Sequence, residues 1–232
     1  RLPSGPGVGY RRAMAFDYRP RRGKPGIGDR MARFFARLVI YFLALSIWLT
    51  LVYKFVPPPV TITMIADSNG FSKDWTPLSR IDRNMVSAVI AAEDSRFCSH
   101  RGFDQDAIEA AMARNAEGGR LRGGSTITQQ TAKNVFLWQG EGWSRWVRKG
   151  LEVWFTFLIE TLWDKRRIME VYLNVAETGI GTYGVEAGAQ RYFGKSAARL
   201  SPTEAARMAA VLPSPKTRAV NNPGGFTRRY GN

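Results

Sequence analysis

The chain has 232 residues, a hydrophobic content of 44% and a formal net charge of +15, from 34 basic and 19 acidic side chains. This charge favours an anionic partner, such as nucleic acid, anionic lipid or a phosphorylated substrate. The single cysteine, Cys98, excludes an internal disulfide, and together with one histidine it is too few ligands for a zinc site. A thiol nucleophile paired with His100 is disfavoured because no Asn or Asp partner is evident. The length suits one medium domain with an accessory segment.

Residues 1–33 are rich in Arg, Gly and Pro and show no hydrophobic period, which predicts a disordered basic tail. An apolar stretch, Phe34–Val56, follows, and no charge interrupts it between Leu38 and Tyr53. Its length matches the roughly 20 residues that cross a bilayer. Pro57–Pro59 then ends the helix where a cleaved signal peptide would show a small-residue cleavage site. We therefore expect a single-pass transmembrane helix at 34–56.

The arginines of the tail predict the orientation of this helix. Positive charges that precede a membrane span stay in the cytoplasm, so everything after Val56 is expected on the outer side of the membrane. A nucleic-acid-binding arm is the alternative for the tail. The predicted orientation argues against it, because DNA and cytosolic nucleotides would be absent from the compartment of the main domain.

The most informative stretch lies at the end of a predicted helix. Glu93 and Asp94 close an apolar helical run and are followed by Phe97, His100 and Gly102. A helix C-terminus has partial negative charge, so two carboxylates are not expected there without a reason. We expect Glu93 to lie against an apolar surface as a base, and Asp94 to turn back onto the backbone as a structural support. The alternative is a solvated acidic helix end.

A glycine-rich segment precedes another predicted helix that begins near Thr126. Gly123 and Gly124 leave backbone N–H groups open, and the hydroxyl groups of Ser125 and Thr126 follow, which is the form of an anion cradle. It is not a phosphate-binding Walker loop, because no lysine lies between Gly124 and Ser125. A surface loop with an ordinary helix cap is the alternative. The helix presents three further polar side chains on adjacent turns: Gln130, Lys133 and Asn134.

A long helix is predicted from Trp146 to Trp163. Four charged residues share one side of it, either as a functional charge cluster or as a solvated salt-bridge face: Arg145, Arg148, Lys149 and Glu152. The rest of the helix is so apolar that it is expected to be deeply buried or close to lipid.

Further helices are predicted at 106–116, 166–177, 185–192 and from a capping box at Ser201 to about Leu212. Gly179–Gly184 matches the dinucleotide fingerprint. We interpret it as a tight turn, because the segment before it has a helical period and not that of a strand.

Taken in order, these stretches resemble the bacterial peptidoglycan glycosyltransferases, which comprise the monofunctional biosynthetic transglycosylases and the glycosyltransferase module of class A penicillin-binding proteins. Four blocks of the sequence match this family, and the match covers nearly all of the chain after the anchor. The blocks are Glu93–Gly102, Gly123–Asn134, Arg148–Glu152, and Ile168–Lys195 with Glu204–Ala206 and Leu212–Pro213. The resemblance implies a mainly α, lysozyme-like glycosyltransferase domain at 57–232 with a smaller membrane-proximal lobe. It also implies a closing helix beyond Leu212–Pro213, so we expect that the sequence stops short of it.

The reaction implied by the resemblance polymerises lipid II. The growing glycan on its polyprenyl diphosphate is the donor, and the 4-hydroxyl of lipid II attacks the anomeric carbon with inversion. The resemblance makes Glu93 and Glu152 catalytic. It places Thr126, Gln130, Lys133, Asn134, Arg148 and Lys149 at the substrate, supported by Asp94, Phe97, His100, Gly102, Gly123, Gly124 and Ser125. It allows a divalent cation, Mg²⁺ or Mn²⁺, but no nucleotide or organic cofactor.

The expected partners are lipid II, the lipid-linked glycan, the membrane and proteins of cell-wall synthesis or division, with no nucleic acid. Two alternatives stay open on the sequence. A lysozyme-like cell-wall hydrolase would cleave the same bond without needing a diphosphate site. A non-catalytic, membrane-anchored scaffold would bind anionic lipid or glycan and would tolerate the loss of Glu93.

Overall fold

The structure, a computed structural model, describes residues 26–116, 124–139 and 142–221, together with 224, 225 and 227. The first helix, α1, spans Ile27–Phe55 and is long and apolar enough to cross a membrane. It begins at Ile27, earlier than the predicted start at Phe34. The rest of the predicted basic tail lies outside the described residues. The chain divides into two compact units, 1–42 and 43–232, so that α1 contributes to both.

The second unit is mainly helical, as predicted. Its remaining helices are α2 (Ile62–Ile65), α3 (Arg83–Glu93), α4 (Gln105–Ala116), α5 (Ile127–Phe136), α6 (Ser144–Leu162), α7 (Lys165–Val175), α8 (Val185–Phe193) and α9 (Pro202–Val211). Short 3₁₀ turns lie at Leu78–Arg80 and Ala197–Arg199. A small sheet has the order β1–β3–β2, from β1 (Ser72–Lys73), β2 (Glu177–Gly179) and β3 (Thr182–Tyr183). Strand β1 pairs parallel to β3, and β2 pairs antiparallel to it.

The local sequence signals explain most of these boundaries. Thr126 and Ser201 each close a reciprocal capping box, at the starts of α5 and α9. The glycines of the false dinucleotide fingerprint form the turn between β2 and β3 and the start of α8, where Gly184 has a φ of +86°. The segment 60–75 contains the one-turn helix α2 and the two-residue strand β1.

The core forms around α5 and α7. Helix α5 packs against α6 and α7, and α3 packs against α9. Ile127, Met85 and Tyr172 are among the side chains with no measurable exposure. Because α3, α5, α6 and α7 meet in this core, the polar residues at their ends and edges are brought to one region.

A buried amide fixes the segment that leads into α3. Asn174 accepts a hydrogen bond from the Thr76 N–H at 2.7 Å and donates to the Thr76 carbonyl at 2.8 Å. On the same helix, Glu170 accepts the Leu78 N–H at 2.9 Å and pairs with Arg167. These bonds satisfy backbone groups that would otherwise be buried without a partner. Helix α7 thereby holds the segment that leads into α3.

The end of α1 is held by polar contacts to α6 and α7. The indole N–H of Trp154 donates to the Ser46 hydroxyl at 3.0 Å, and that of Trp163 donates to the Thr50 carbonyl at 2.8 Å. Arg167 donates to the carbonyl of Tyr53. The last turns of α1 are therefore part of the second unit and not a separate tether.

We expect Asn174→Leu to lower the free energy of unfolding by about 2–4 kcal/mol, because it leaves both backbone groups of Thr76 buried without partners. Thermal unfolding followed by circular dichroism in detergent would measure the change. Asn69→Leu is the control, since Asn69 is exposed and bonds only within its own turn. Equal effects of the two substitutions would contradict the role assigned to Asn174.

Candidate active site

Glu93 is the last residue of α3, and its carboxylate is largely removed from water. Its Oε2 accepts a hydrogen bond from Gln130 Nε2 at 2.7 Å. Its Oε1 is buried and has no hydrogen-bond partner among the described residues. Burial raises the pKa of Glu93, and the bond from Gln130 and the positive charges of Arg218 and Lys133 partly oppose this effect. The result is a carboxylate with one free oxygen and an increased affinity for a proton.

A second hydrogen bond fixes the amide that holds Glu93. The Tyr172 hydroxyl donates to Gln130 Oε1 at 3.3 Å, so that the amide nitrogen must face Glu93. Tyr172 is fully buried, and burial raises its pKa well above 10.0. It therefore remains a neutral donor at physiological pH. Tyr172 lies in the fourth block that matches the family, but the sequence assigned it no role. The only signal in the sequence was its position on the inward face of α7.

Asp94 connects the loop after α3 to the start of α5. His100 Nε2 lies 2.8 Å and 2.9 Å from the two carboxylate oxygens of Asp94, and Asp94 Oδ2 also accepts the Ile127 N–H at 3.0 Å. The Gly102 N–H donates to His100 Nδ1 at 3.1 Å, which requires that Nε2 has the ring proton. Asp94 therefore does bind backbone, but the backbone of α5 and not that of its own helix.

The other residues of this loop support its shape. Gly102 has a φ of +84°, and a Cβ there would come within 2.7 Å of Thr156 Cγ2, so only glycine fits without displacement. Thr126 donates from Oγ1 to the Gly102 carbonyl at 2.6 Å and is buried. Phe97 is also buried, with Lys165 Nζ 4.6 Å above its ring. Since the Thr126 hydroxyl is already used inside the protein, we assign it to the supporting residues and not to the substrate contacts.

The start of α5 is not an open anion cradle. The Ile127 N–H is bound by Asp94, and the Gln129 N–H is bound by the Thr126 hydroxyl. An anion at these two N–H groups would have to displace the protein acceptors Asp94 and Thr126. Ser125 is exposed, Gly124 lies against α4 at Ile108, and Gly123 lies outside the described residues.

The positive charges of the site lie on α5 and α6. Lys133 is largely buried, and burial lowers its pKa, while the negative charges of Glu152 and Glu93 raise it. Lys133 is thus within electrostatic range of both acids. Glu152 is buried and accepts a hydrogen bond from Lys149 Nζ at 2.7 Å. The Nε of Arg148 is buried and has no hydrogen-bond partner in the part of the chain that the structure describes.

The remaining expected residues are placed as follows. Asn134 is half-buried on α5, next to Lys133, and forms no polar side-chain contact with the other described residues. Arg218, which no sequence motif singled out, donates to the Ala210 carbonyl at 2.8 Å and lies close enough to Glu93 to affect its pKa. No local pattern around Arg218 predicted this, because its position depends on the packing of α9 against α3.

A metal ion could be held, by distance alone, between Asp94, His100 and Asp104, whose ligand atoms lie within 4.8 Å of one another. The hydrogen bonds do not suit this. Both nitrogens of His100 are used within the loop, and Asp104 accepts the Ala107 N–H at 3.0 Å. Glu152 is no better suited to a cation, because Lys133 and Lys149 are already close to it.

Comparison with known proteins agrees with this arrangement. The transglycosylase family model matches residues 61–231. A biosynthetic peptidoglycan transglycosylase of Caulobacter vibrioides is 50% identical over 211 residues, which cover 86% of this chain and 90% of that protein. The protein of the same name from Rhodospirillum centenum is 49% identical, over 88% of this chain and 87% of that protein. The one from Xanthomonas campestris is 46% identical, over 90% of this chain and 86% of that protein.

The match extends through every block that contributes to the site, from Glu93 at the end of α3 to Arg218 beyond α9. The chain therefore belongs to the transglycosylase family and is a peptidoglycan glycosyltransferase.

Proposed function

We propose that this protein polymerises lipid II, with Glu93 as the base that activates the acceptor hydroxyl. The observation that supports this most directly is the free, buried Oε1 of Glu93 beside an oriented Oε2. A sugar hydroxyl is a weak nucleophile and needs a base within hydrogen-bond reach, with a pKa closer to neutral than that of an exposed glutamate. Burial changes the pKa of Glu93 in this direction.

In the proposed reaction, the acceptor 4-hydroxyl attacks the anomeric carbon of the donor while Glu93 takes its proton. The bond between the anomeric carbon and the diphosphate oxygen breaks, and the polyprenyl diphosphate leaves with the bonding electrons. The configuration inverts because attack and departure occur on opposite faces. An inverting glycosidase adds a carboxylic acid to protonate its leaving group. A diphosphate leaves as a stable anion, so the matching requirement here is positive charge.

Lys133, Arg148 and Lys149 supply that charge in our proposal. Arg148 Nε is a buried donor without a partner among the described residues, and it can bind a phosphate oxygen without breaking an existing bond. Lys133 interacts electrostatically with both Glu93 and Glu152. In this position it can stabilise negative charge that develops on the leaving diphosphate. The donor diphosphate is thus assigned to the α5–α6 side of Glu93.

Glu152 has a different role from Glu93, since its carboxylate is bonded to Lys149. We propose that it orients Lys149 and compensates the positive charge of Lys133 in the empty site. Mg²⁺ or Mn²⁺, which the resemblance allowed, is assigned no step, because neither acidic group tested above suits a cation.

The apolar α1 is long enough to cross a membrane and supports a membrane anchor, which fits a substrate with a lipid tail. We propose that α1 crosses the cytoplasmic membrane once, with the N-terminus inside and the catalytic domain in the periplasm, where proteins of cell-wall synthesis or division are the expected partners. A hydrolase of lysozyme-like fold would not need the cluster of Lys133, Arg148 and Lys149. A scaffold would not need a desolvated carboxylate.

Glu93→Gln is expected to abolish polymerisation of labelled lipid II while the fold is retained. Because a buried ionised carboxylate costs free energy, the variant should also be more stable than the parent at neutral pH. This gain should disappear below the ordinary glutamate pKa of 4.5, where the side chain is neutral in both states. Glycan length on gels and thermal unfolding at the two pH values would measure both effects. A folded variant that still makes glycan would contradict the proposal.

The pH dependence of kcat/KM tests the chain of hydrogen bonds to Glu93. The base acts in its ionised form, so the rate falls as pH falls through its pKa. Gln130 stabilises the ionised form, so Gln130→Leu should raise the pKa and move the acid limb to higher pH by about one unit. Tyr172→Phe should move it in the same direction by less. If the limb stays in place in both folded variants, Gln130 and Tyr172 do not position the base.

Lys133→Gln and Arg148→Gln test the assigned diphosphate site. Each should lower kcat by roughly 10²- to 10³-fold, the usual cost of losing one donor to charge in a transition state. Arg145→Gln is the matched control, because Arg145 is exposed and lies one turn before Arg148 on α6. Single-turnover transfer with labelled donor would separate this effect from product release. A loss of the same size in Arg145→Gln would point to general electrostatics instead of a specific site.

A further inference from the structure

A basic cavity lies at the end of α1, away from the catalytic residues. It has a volume of about 460 Å³. It is lined by Lys54, Phe55, Leu78, Ser79, Asp164, Arg166, Arg167 and Glu170. Arg166 and Tyr172 are six positions apart on α7, which at about 1.5 Å per residue places the cavity roughly 9 Å along the helix from the active site. The mechanism above uses none of the lining residues.

The acidic side chains of this cavity have hydrogen-bond partners within the part of the protein that the structure describes, whereas two of its basic side chains do not. Asp164 caps α7 by accepting the Arg167 N–H at 2.7 Å, and Glu170 is bonded to Arg167 and to the Leu78 N–H. Arg167 also holds the carbonyl groups at the end of α1. Lys54 and Arg166, in contrast, form no hydrogen bond or ion pair with any described residue. The acids are therefore used within the protein, and two cations are left for a ligand.

The position of the cavity indicates what kind of anion it meets. It opens where the membrane-spanning length of α1 ends, which is the level of lipid headgroups. The chain around this point exposes large apolar side chains, among them Phe55 and Ile65, at 76% and 72% exposure. Exposed apolar surface of this kind is expected to contact lipid. A ligand that matches both features has a phosphate group for the cations and an acyl chain for the apolar rim.

We propose that this cavity binds the phosphate headgroup of an anionic membrane phospholipid through Lys54 and Arg166. Cationic side chains near a membrane surface attract anionic lipids, and basic pockets beside membrane helices hold their headgroups. Bound there, the lipid would fix the depth at which α6 and α7 sit at the membrane, since both helices are bonded to the end of α1. The inference rests on the membrane anchor and goes beyond the polymerisation of lipid II.

The test is lipid retention by the full chain, extracted in mild detergent with equal amounts of phosphatidylglycerol and phosphatidylcholine and measured by native mass spectrometry. The parent should retain phosphatidylglycerol preferentially. The double substitution Lys54→Gln and Arg166→Gln should reduce this preference on the order of ten-fold. The control is Arg80→Gln with Arg83→Gln, which removes the same charge from a neighbouring cavity of about 470 Å³. Circular dichroism would establish that both variants are folded.

Equal retention by the parent and the Lys54/Arg166 variant would overturn the proposal, as would an equal loss in the Arg80/Arg83 control. Excess inorganic phosphate distinguishes a free anion from a headgroup, and displacement of phosphatidylglycerol by phosphate would show a simple anion site. Displacement by added lipid II would assign the cavity to the substrate and also overturn the proposal. None of these measurements needs turnover, so failure of the polymerisation assay leaves the result of this test unaffected.

Discussion

The structure of the active site depends on one buried carboxylate, that of Asp94. It binds His100 with both oxygens and the first N–H of α5 with one of them. Removing His100 or the Ile127 N–H bond would leave the buried charge of Asp94 less compensated. The free-energy cost of an uncompensated buried charge exceeds the stabilisation that an intact pair provides. Because this group connects the end of α3 to the start of α5, it sets the separation of Glu93 from Gln130 and Lys133. The catalytic base is therefore positioned by its neighbour in the sequence.

The two adjacent acids have opposite environments for a simple geometric reason. Asp94 follows the helix with extended backbone and meets backbone and imidazole donors, whereas Glu93, the last helical residue, is bonded by a single amide donor. Donors stabilise the ionised form, and burial without enough donors destabilises it. The same helix end thus holds a structural support and a carboxylate that can accept a proton.

The helices of the domain were largely predictable from the sequence. The contacts between helices at the candidate site were not, and the reason is physical. Helical periods and capping residues predicted α3, α5 and α9 because those signals are local. The pairing of Glu93 with Gln130, and the hydroxyl of Tyr172 behind it, depend on how α3, α5 and α7 pack, so no local pattern reveals them. The sequence at the start of α5 shows donors but not the acceptors, Asp94 and Thr126, that bind the Ile127 and Gln129 N–H groups in the fold. Arg218 was overlooked because its position depends on the packing of α9 against α3.

The most direct test of the account is the pKa of Glu93 itself, measured by NMR titration of glutamate side-chain carboxyl carbons in the labelled full chain, with Glu93→Gln to assign the resonance. The account requires a midpoint above 4.5 that coincides with the acid limb of the kcat/KM profile. Such a result would establish a desolvated carboxylate that acts as the base in its ionised form. A midpoint at or below 4.5, or one unrelated to the acid limb, would contradict the assignment of Glu93 as the catalytic base.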